Sequence, residues 1–228
     1  MINKSITALL DFILPRICVS CGHKLSLYEK IICPLCSNSI EYVSEELIEH
    51  EFRRKFFNDG YISGLFSLYQ FEKGEAVQDL IHSLKYHGRF QNGIYLGEKL
   101  GQTALDKLNQ WRIDVIIPVP LHTVKKAERG FNQSDYIARG LNKVTLIPYQ
   151  FHALKRIRHT ESQTNLNAVQ RKENLKDAFK VIRKDLVTGR NIAVLDDVIT
   201  SGSTMTECAK ALLDNQAAKV YVLSAALA

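Results

Sequence analysis

The sequence predicts an α/β domain with a parallel sheet flanked by helices, preceded by a small cysteine-rich segment. From Trp111 onward, short apolar runs such as "DVIIPVP" and "NIAVLDD" alternate with helical segments such as "STMTECAKALLD". This strand–helix–strand alternation is typical of a parallel sheet with helices on both faces. Four of the five cysteines lie before residue 40. We therefore divide the chain into a cysteine-rich segment (1–44), a helical connecting or hood region (45–110) and the α/β domain (111–228).

The composition is that of a water-soluble globular protein. Of the 228 residues, 46% are hydrophobic and 24% are charged, which is ordinary for a globular chain. The longest apolar runs, such as residues 115–121, are far shorter than the roughly 18–20 residues that a membrane span requires. The start, "MINKSITALLDFILP", is interrupted by Asp11 and has no convincing signal-peptide cleavage site. We expect a short helix there, no membrane span and a cytoplasmic location.

The net charge of +6 is unevenly distributed. Residues 155–190 contain ten Lys and Arg against four acidic residues, and the remainder of the chain is neutral. Such a basic stretch is either a solvated face or a surface for phosphate groups, on a small molecule or on nucleic acid.

The cysteine-rich segment has the spacing of a metal site. Cys18 and Cys21 form one C-x2-C turn, and Cys33 and Cys36 form another, eleven residues further on. Two such turns can direct four thiolates at one ion, and four sulfur ligands favour zinc in a closed, structural site. The alternative, a pair of disulfides, requires an oxidising compartment. We expect one structural zinc ion.

The connecting region is predicted to contain a charged helix, a strand and two further helices. The run "YISGLFSLYQF" (61–71) is rich in aromatic and β-branched residues, which favours a strand. Apolar residues at helical spacing follow it in "GEAVQDLIHSLKYHGR", where Gly88 should end the helix. A second helix is expected from about Gly93 to Leu108.

The stretch "VLDDVITSGSTM" (194–205) places two acids at the carboxyl end of a strand, before a helix that should start near Ser203. Ligands of parallel sheets bind at the edge where the carboxyl ends of the strands lie, and the turn after "DVIIPVP" should lie at the same edge. Gly202 permits a tight bend, so that backbone N–H groups and the helix dipole can converge on an anion. Two acids can lie beside a phosphate-binding loop if the ligand carries both a phosphate, which the loop binds, and a diol, whose hydroxyls donate to the acids. The alternative is an ordinary turn with Asp197 as a helix cap.

This pattern resembles the phosphoribosyl pyrophosphate (PRPP) signature of type I phosphoribosyltransferases. The resemblance implies a type I phosphoribosyltransferase-like sheet and a ligand of PRPP with Mg2+. It also implies that Asp196 and Asp197 bind the ribose hydroxyls. The 5′-phosphate would then be held by Thr200, Ser201, Gly202, Ser203 and Thr204.

The order of the motifs extends the resemblance to nearly the whole chain. The four cysteines, "LIHSLKYHGR", "VIIPVPLHTVKKAERGFNQS", "TESQTNL" and the PRPP-like loop together resemble the ComF family. In that family a zinc-ribbon segment precedes a phosphoribosyltransferase-like domain, and members are associated with DNA uptake in natural transformation. The resemblance therefore implies single-stranded DNA and competence-machinery proteins as partners.

Further contacts are expected from three segments. "LHTVKKAERGFNQ" would be the pyrophosphate loop, where the forked donors of Arg129 suit two phosphate oxygens. Residues 158–179 resemble the flexible loop of amidophosphoribosyltransferases, with Arg158, Thr160 and Gln163 as candidate contacts; the alternative is a surface loop. Lys85, at a basic helix end, would border the site.

Three functions remain open from the sequence. The chain is a PRPP-binding protein that handles single-stranded DNA, a phosphoribosyltransferase acting on a base, an amine or a nucleic-acid end, or a PRPP-sensing regulator. No residue identifies an attacking nucleophile, so the catalytic residues are unknown.

Overall fold

A four-stranded parallel sheet forms the centre of the protein. The computed structural model describes residues 15–158 and 175–228. The strand order is β1-β6-β5-β2, and every neighbouring pair is parallel. The strands are β1 (Leu65–Gln70), β2 (Val115–Pro118), β5 (Asn191–Ile199) and β6 (Lys219–Leu227), beside an antiparallel pair of β3 (Leu154–Arg156) and β4 (Phe179–Val181). The predicted parallel α/β fold is confirmed.

Seven α-helices are assigned within the described ranges. They are α1 (Pro34–Asn38), α2 (Glu45–Phe52), α3 (Ala76–Tyr86), α4 (Phe90–Gln110), α5 (Thr123–Arg129), α6 (Gln133–Thr145) and α7 (Ser203–Leu213). The charged helix predicted after Ser44 is α-helical only to Phe52 and continues as a π-helical segment, Arg53–Phe57. The predicted turn after β2 contains α5, which His122 caps by accepting a hydrogen bond from the Val124 N–H.

Helices cover both faces of the sheet. Successive side chains along a strand point to opposite faces, so apolar residues on both faces need a covering layer. On one face, Ile116 and Ala193 pack in a buried cluster with apolar residues of α3, α4 and α6. On the other face, Val115 and Val194 pack with α7, β3 and β4. The strands are therefore buried on both sides, which explains why "VIIP" and "IAVL" are continuous apolar runs.

The connecting region contributes a strand to the main sheet. β1, within residues 45–110, pairs with β6 in the register Leu65↔Val222 and Gln70↔Leu227. The connecting region thus shares its sheet with residues 111–228.

Two glycines set the distance between α4 and α6. A Cβ at Gly97 would lie 2.0 Å from the Ile137 carbonyl oxygen, and a Cβ at Gly140 would lie 2.1 Å from that of Ile94. Only glycine allows the two backbones to approach this closely. The contact fixes α6 on the sheet, and the first residues of α6 reach the carboxyl end of β5.

No helix in the described part of the chain has both the length and the apolarity needed to cross a bilayer. The helix expected at the start of the chain falls on residues 1–14, and most of the expected flap falls on residues 159–174. Both lie outside the described residues.

Candidate functional site

The carboxyl ends of β2 and β5 open into one cavity of about 290 Å³. Pro118 of β2 is in register with Leu195 of β5, and the Val119 N–H donates to the Leu195 carbonyl at 2.8 Å. The acids Asp196 and Asp197 lie within β5, which continues to Ile199. As the sequence predicts, the segments that follow the two strands meet at one edge of the sheet.

Most of the predicted site residues line this cavity. They are Lys85, Arg129, Asp196, Asp197, Thr200, Ser201, Gly202 and Thr204. Ser203 is not among the lining residues, but its hydroxyl lies 3.1 Å from that of Ser201. Arg158 is also absent from the lining, and its guanidinium donates to the Lys176 carbonyl at 2.6 Å. Thr160 and Gln163 lie outside the described residues.

The loop between β5 and α7 requires glycine at position 202. Gly202 has a φ of 80°, in the left-handed region. A Cβ there would also lie 2.6 Å from a ring carbon of Phe56, in the π-helical segment beneath the loop. Gly202 is the N-cap of α7 and has no side chain with which to cap it. The first N–H groups of α7, with the helix dipole, can therefore bind an anion in the cavity.

Asp197 is a buried anion with fixed partners. It is 3% exposed, its Oδ2 forms an ion pair with the Lys85 ammonium, and its Oδ1 accepts a hydrogen bond from Gln133 Nε2 at 3.3 Å. Burial by itself raises the pKa of Asp197, but the Lys85 charge and the hydrogen bonds from Lys85, Asp196 and Gln133 together outweigh burial and hold this pKa below its ordinary value. Burial likewise lowers the pKa of Lys85, while Asp197 raises it, with a net increase. The pair stays ionised at neutral pH.

Asp196 has a different electrostatic environment. Its Oδ1 accepts hydrogen bonds from Ser134 Oγ at 2.8 Å and from the Asp197 N–H at 2.9 Å. Burial and the adjacent Asp197 charge nevertheless raise the pKa of Asp196 to about 7. Two neighbouring acids therefore carry different charges near neutral pH. A cationic or hydroxyl-rich ligand that approaches Asp196 would favour its ionised form.

A group of three cations, which we call the cationic rim, lines the same cavity as the two acids. It consists of Lys125, Arg129 and Arg156, and all three line the cavity. Arg129 donates to Gln133 Oε1 at 2.6 Å, so Gln133 links the rim to Asp197. Arg156 is 8% exposed and packs on Phe179, with its guanidinium carbon 5.7 Å from the ring centroid.

Sequence reasoning missed Arg156, Gln133 and Ser134 as site residues. Arg156 belongs to β3, whose alternating burial places Leu154 and Arg156 on one side. Interpreting "ALKRI" as a strand would have directed attention to Arg156. Gln133 and Ser134 lie in the quoted "FNQS" motif, but contact with the acids depends on the packing of α6 against β5.

The four cysteines of the N-terminal segment come together as predicted. The Sγ atoms of Cys18, Cys21, Cys33 and Cys36 all lie within 4.8 Å of one another. Cys21 Sγ and Cys33 Sγ are 3.7 Å apart, close to the ~3.8 Å that a tetrahedral ion with ~2.3 Å bonds to sulfur imposes. The thiols are free rather than paired as disulfides. These residues fit a metal ion.

The structure thus joins a four-cysteine metal-type segment to a parallel α/β domain with an acidic pair and a glycine-containing loop at one sheet edge. No family model matches the sequence. Competence protein F of Haemophilus influenzae is 35% identical over 142 residues, which are 60% of this chain and 62% of that protein. DNA utilization protein YhgH of Escherichia coli K12 is 38% identical over 152 residues, 64% of this chain and 65% of that protein.

A third relative aligns over more of the chain. Competence protein ComFC of Bacillus subtilis is 24% identical over 201 residues, 87% of this chain and 78% of that protein. The predicted resemblance to the ComF family is confirmed by relatives named competence protein F and ComFC. The match to the first two relatives spans less than two thirds of their length. Among solved structures, the glutamine PRPP amidotransferase of B. subtilis matches 58% of this chain at 22% identity, with a TM-score of 0.40.

The raised pKa of Asp196 predicts a pH-dependent gain in stability for Asp196→Asn. In the parent, the folded state retains a proton that the unfolded state loses, so its free energy of unfolding falls as pH rises from about 4 to about 7. The asparagine can keep the bonds from Ser134 and from the Asp197 N–H. We expect the Asp196→Asn substitution to stabilise the protein by roughly 1–3 kcal/mol at pH 8 and by much less at pH 4.5.

Urea unfolding at the two pH values measures this difference. Asp106→Asn, which removes an exposed carboxylate of α4, is the matched control. An Asp196→Asn gain that is equal at both pH values would contradict the raised pKa.

Proposed function

We propose that this ComF-like protein binds PRPP with Mg2+ in the cavity at the ends of β2 and β5, and that it handles single-stranded DNA during natural transformation. The observation that carries the first part is the combination, in one cavity, of an acidic pair, the Gly202 loop and a cationic rim. Each of these three parts fits a different part of the same ligand.

The acidic pair fits the ribose hydroxyls. An ionised carboxylate has about four acceptor positions, so Asp196 and Asp197 can accept further hydrogen bonds besides those from Ser134 and Gln133. Mg2+ bound together with the ligand would neutralise charge of the pyrophosphate, and it prefers oxygen ligands such as those of phosphates and carboxylates.

The phosphates fit the remaining walls. Backbone N–H groups at the start of α7, with the hydroxyls of Ser201 and Thr204, suit the 5′-phosphate. The rim of Lys125, Arg129 and Arg156 suits the pyrophosphate, and the two arginines can each donate to two oxygens. In this arrangement the protein positions the pentose and neutralises charge.

The names of the relatives favour DNA uptake as the process: competence protein F, ComFC and DNA utilization protein YhgH. The net charge of +6 suits a polyanionic partner, and proteins of the competence machinery are further candidate partners. Free, closely grouped thiols suit the reducing cytoplasm, where we place the protein. Two alternatives remain: a phosphoribosyltransferase acting on an unidentified acceptor, and a PRPP-sensing regulator. Release of pyrophosphate from PRPP in the presence of candidate acceptors would distinguish the transferase from a protein that only binds PRPP.

The cysteine segment, in this proposal, holds one structural zinc ion. Four thiolates close the coordination shell, and so small a segment depends on its metal for folding energy. Cys18 and Cys33 are buried, and Ser37 of the segment lies within hydrogen-bond distance of Tyr95 on α4, at 3.3 Å. The ion would therefore also fix the segment against α4 of the connecting region.

Mg2+–PRPP is expected to raise the melting temperature of the parent protein. Asp197→Asn should lower the affinity for PRPP by about tenfold or more, because hydrogen bonds to charged groups contribute roughly 1.5–3 kcal/mol. Thr204→Val, which keeps the side-chain shape and removes one hydroxyl donor, should weaken it less. The shift in melting temperature across a PRPP titration measures both effects, with Asp106→Asn as the control. A parent melting temperature that Mg2+–PRPP leaves unchanged would contradict the proposed PRPP site.

Single-stranded DNA should bind with a strong dependence on salt. If about three phosphates contact the cationic rim, affinity should drop roughly twentyfold between 50 and 200 mM salt. Lys125→Gln should reduce the slope of log affinity against log salt by about 0.7. Lys219→Gln, at the amino end of β6, should leave that slope unchanged. Fluorescence anisotropy with a labelled 20-nucleotide strand measures the slopes, and an absence of binding at 50 mM salt would contradict the DNA part.

Chelation should destabilise the N-terminal segment. We expect about one zinc ion per chain by elemental analysis of the purified protein, and loss of that zinc in Cys21→Ser with a lower melting temperature. Cys208→Ser, outside the cluster, is the control for zinc content. A parent protein that folds fully without any bound metal would overturn the structural role.

A further inference from the structure

A second cavity, of about 460 Å³, adjoins the proposed PRPP site. The two cavities share Lys85, Tyr86, Lys125 and Arg129 as walls. Beyond these shared walls the second cavity is bordered by Phe90 and Phe131, and we call it the aromatic annex. Its volume lies within the ~300–1,000 Å³ that small-molecule sites occupy.

The rings of the annex are held in place but remain accessible. Phe90 stacks on Tyr136, with centroids 4.6 Å apart and ring planes 12° apart, and meets Phe131 edge-on at 4.8 Å. Phe90 nevertheless keeps 39% of its surface exposed. Tyr86, four residues before Phe90 in the chain, is 64% exposed. Accessible rings with little freedom to move are suited to stack on a planar ligand, because little side-chain entropy is lost on binding.

A guanidinium completes the stacking surface. The Arg129 guanidinium carbon lies 5.6 Å from the centroid of the Tyr86 ring, and its Nη1 is tied to Gln133 at 2.6 Å. Arginine planes and aromatic rings both stack on nucleobases. Lys125 adds a cation where the annex meets the first cavity, and Glu128 adds a carboxylate that can accept from an exocyclic amino group.

We propose that the aromatic annex binds an unpaired nucleobase by stacking on Tyr86 and Phe90, with a neighbouring phosphate at Lys125 and Arg129. This inference rests on the proposed handling of single-stranded DNA and assigns it a location. An aliphatic ligand would use neither the guanidinium nor the ring faces. A nucleotide uses both, together with the cationic wall. The base can belong to a single strand or be free, since the stacking chemistry is the same.

The sequence did not reveal this surface. Tyr86 and Phe90 flank the C-terminal end of α3, while Phe131 and Tyr136 come from the turn before α6 and from α6 itself. The rings of Phe90 and Tyr136 belong to segments far apart in the chain, and the packing of α4 against α6 brings them together.

The test compares strands that do and do not have bases. Anisotropy is measured for a fluorescein-labelled ten-nucleotide oligothymidine and for an abasic strand of the same length and charge. Tyr86→Ala and Phe90→Ala should each lower the affinity for oligothymidine at least about fivefold, which is the lower limit for the loss of one stacked base. Tyr86→Phe should bind like the parent. Phe151→Ala is the matched control, because Phe151 is also 39% exposed and lines neither cavity.

Weakening of binding with oligothymidine but not with the abasic strand supports the annex, and equal weakening with both strands, or none with either, overturns it. If the parent binds no strand, saturation-transfer NMR with adenine decides. A signal that Tyr86→Ala removes supports the annex with a free base as ligand, and no signal, or a signal that Tyr86→Ala leaves unchanged, overturns it. The Mg2+–PRPP thermal shift is measured on the same variants, so failure of the PRPP site is distinguished from failure of the annex.

Discussion

The buried ion pair between Lys85 and Asp197 is the constraint around which the site is arranged. Two adjacent carboxylates at the end of a sheet strand repel one another, and burial makes the repulsion stronger because the surroundings screen charge poorly. Lys85 offsets the charge of Asp197, while Ser134 donates to Asp196 and Gln133 donates to Asp197. The price of this arrangement is an Asp196 carboxyl whose pKa is raised to about 7.

The partners of the acids come from elements that are distant in the chain. Lys85 lies at the end of α3, and Gln133 and Ser134 begin α6. α6 reaches the acids because Gly97 and Gly140 let it pack closely on α4. A bulkier residue at either glycine would displace α6 and, with it, two of the three groups that support the acids. Packing far from the cavity therefore controls its electrostatics.

The cavity separates opposite charges across a short distance. The acids occupy the β5 side, and the cationic rim occupies the α5 and β3 side, with Gln133 hydrogen-bonded to both. Such a division suits a ligand that carries hydroxyls at one end and phosphates at the other, and a net cationic or net anionic surface would not provide it. The aromatic annex continues the cationic side, which connects the proposed pentose site with the proposed base site.

The sequence by itself determined the elements whose signal is local. The parallel strands, most of the helices, the C-x2-C pairs and the acid–glycine loop all follow from periodicity, turn residues or short spacing, because neighbouring residues produce those signals. What only the tertiary structure decided depends on distant segments: the entry of β1 into the sheet, the inclusion of Arg156, the Lys85–Asp197 pair and the approach of Tyr86, Phe90 and Phe131 to one another. Each of these requires two or more elements to pack at a specific distance, and contacts between distant segments leave no periodic trace in the chain.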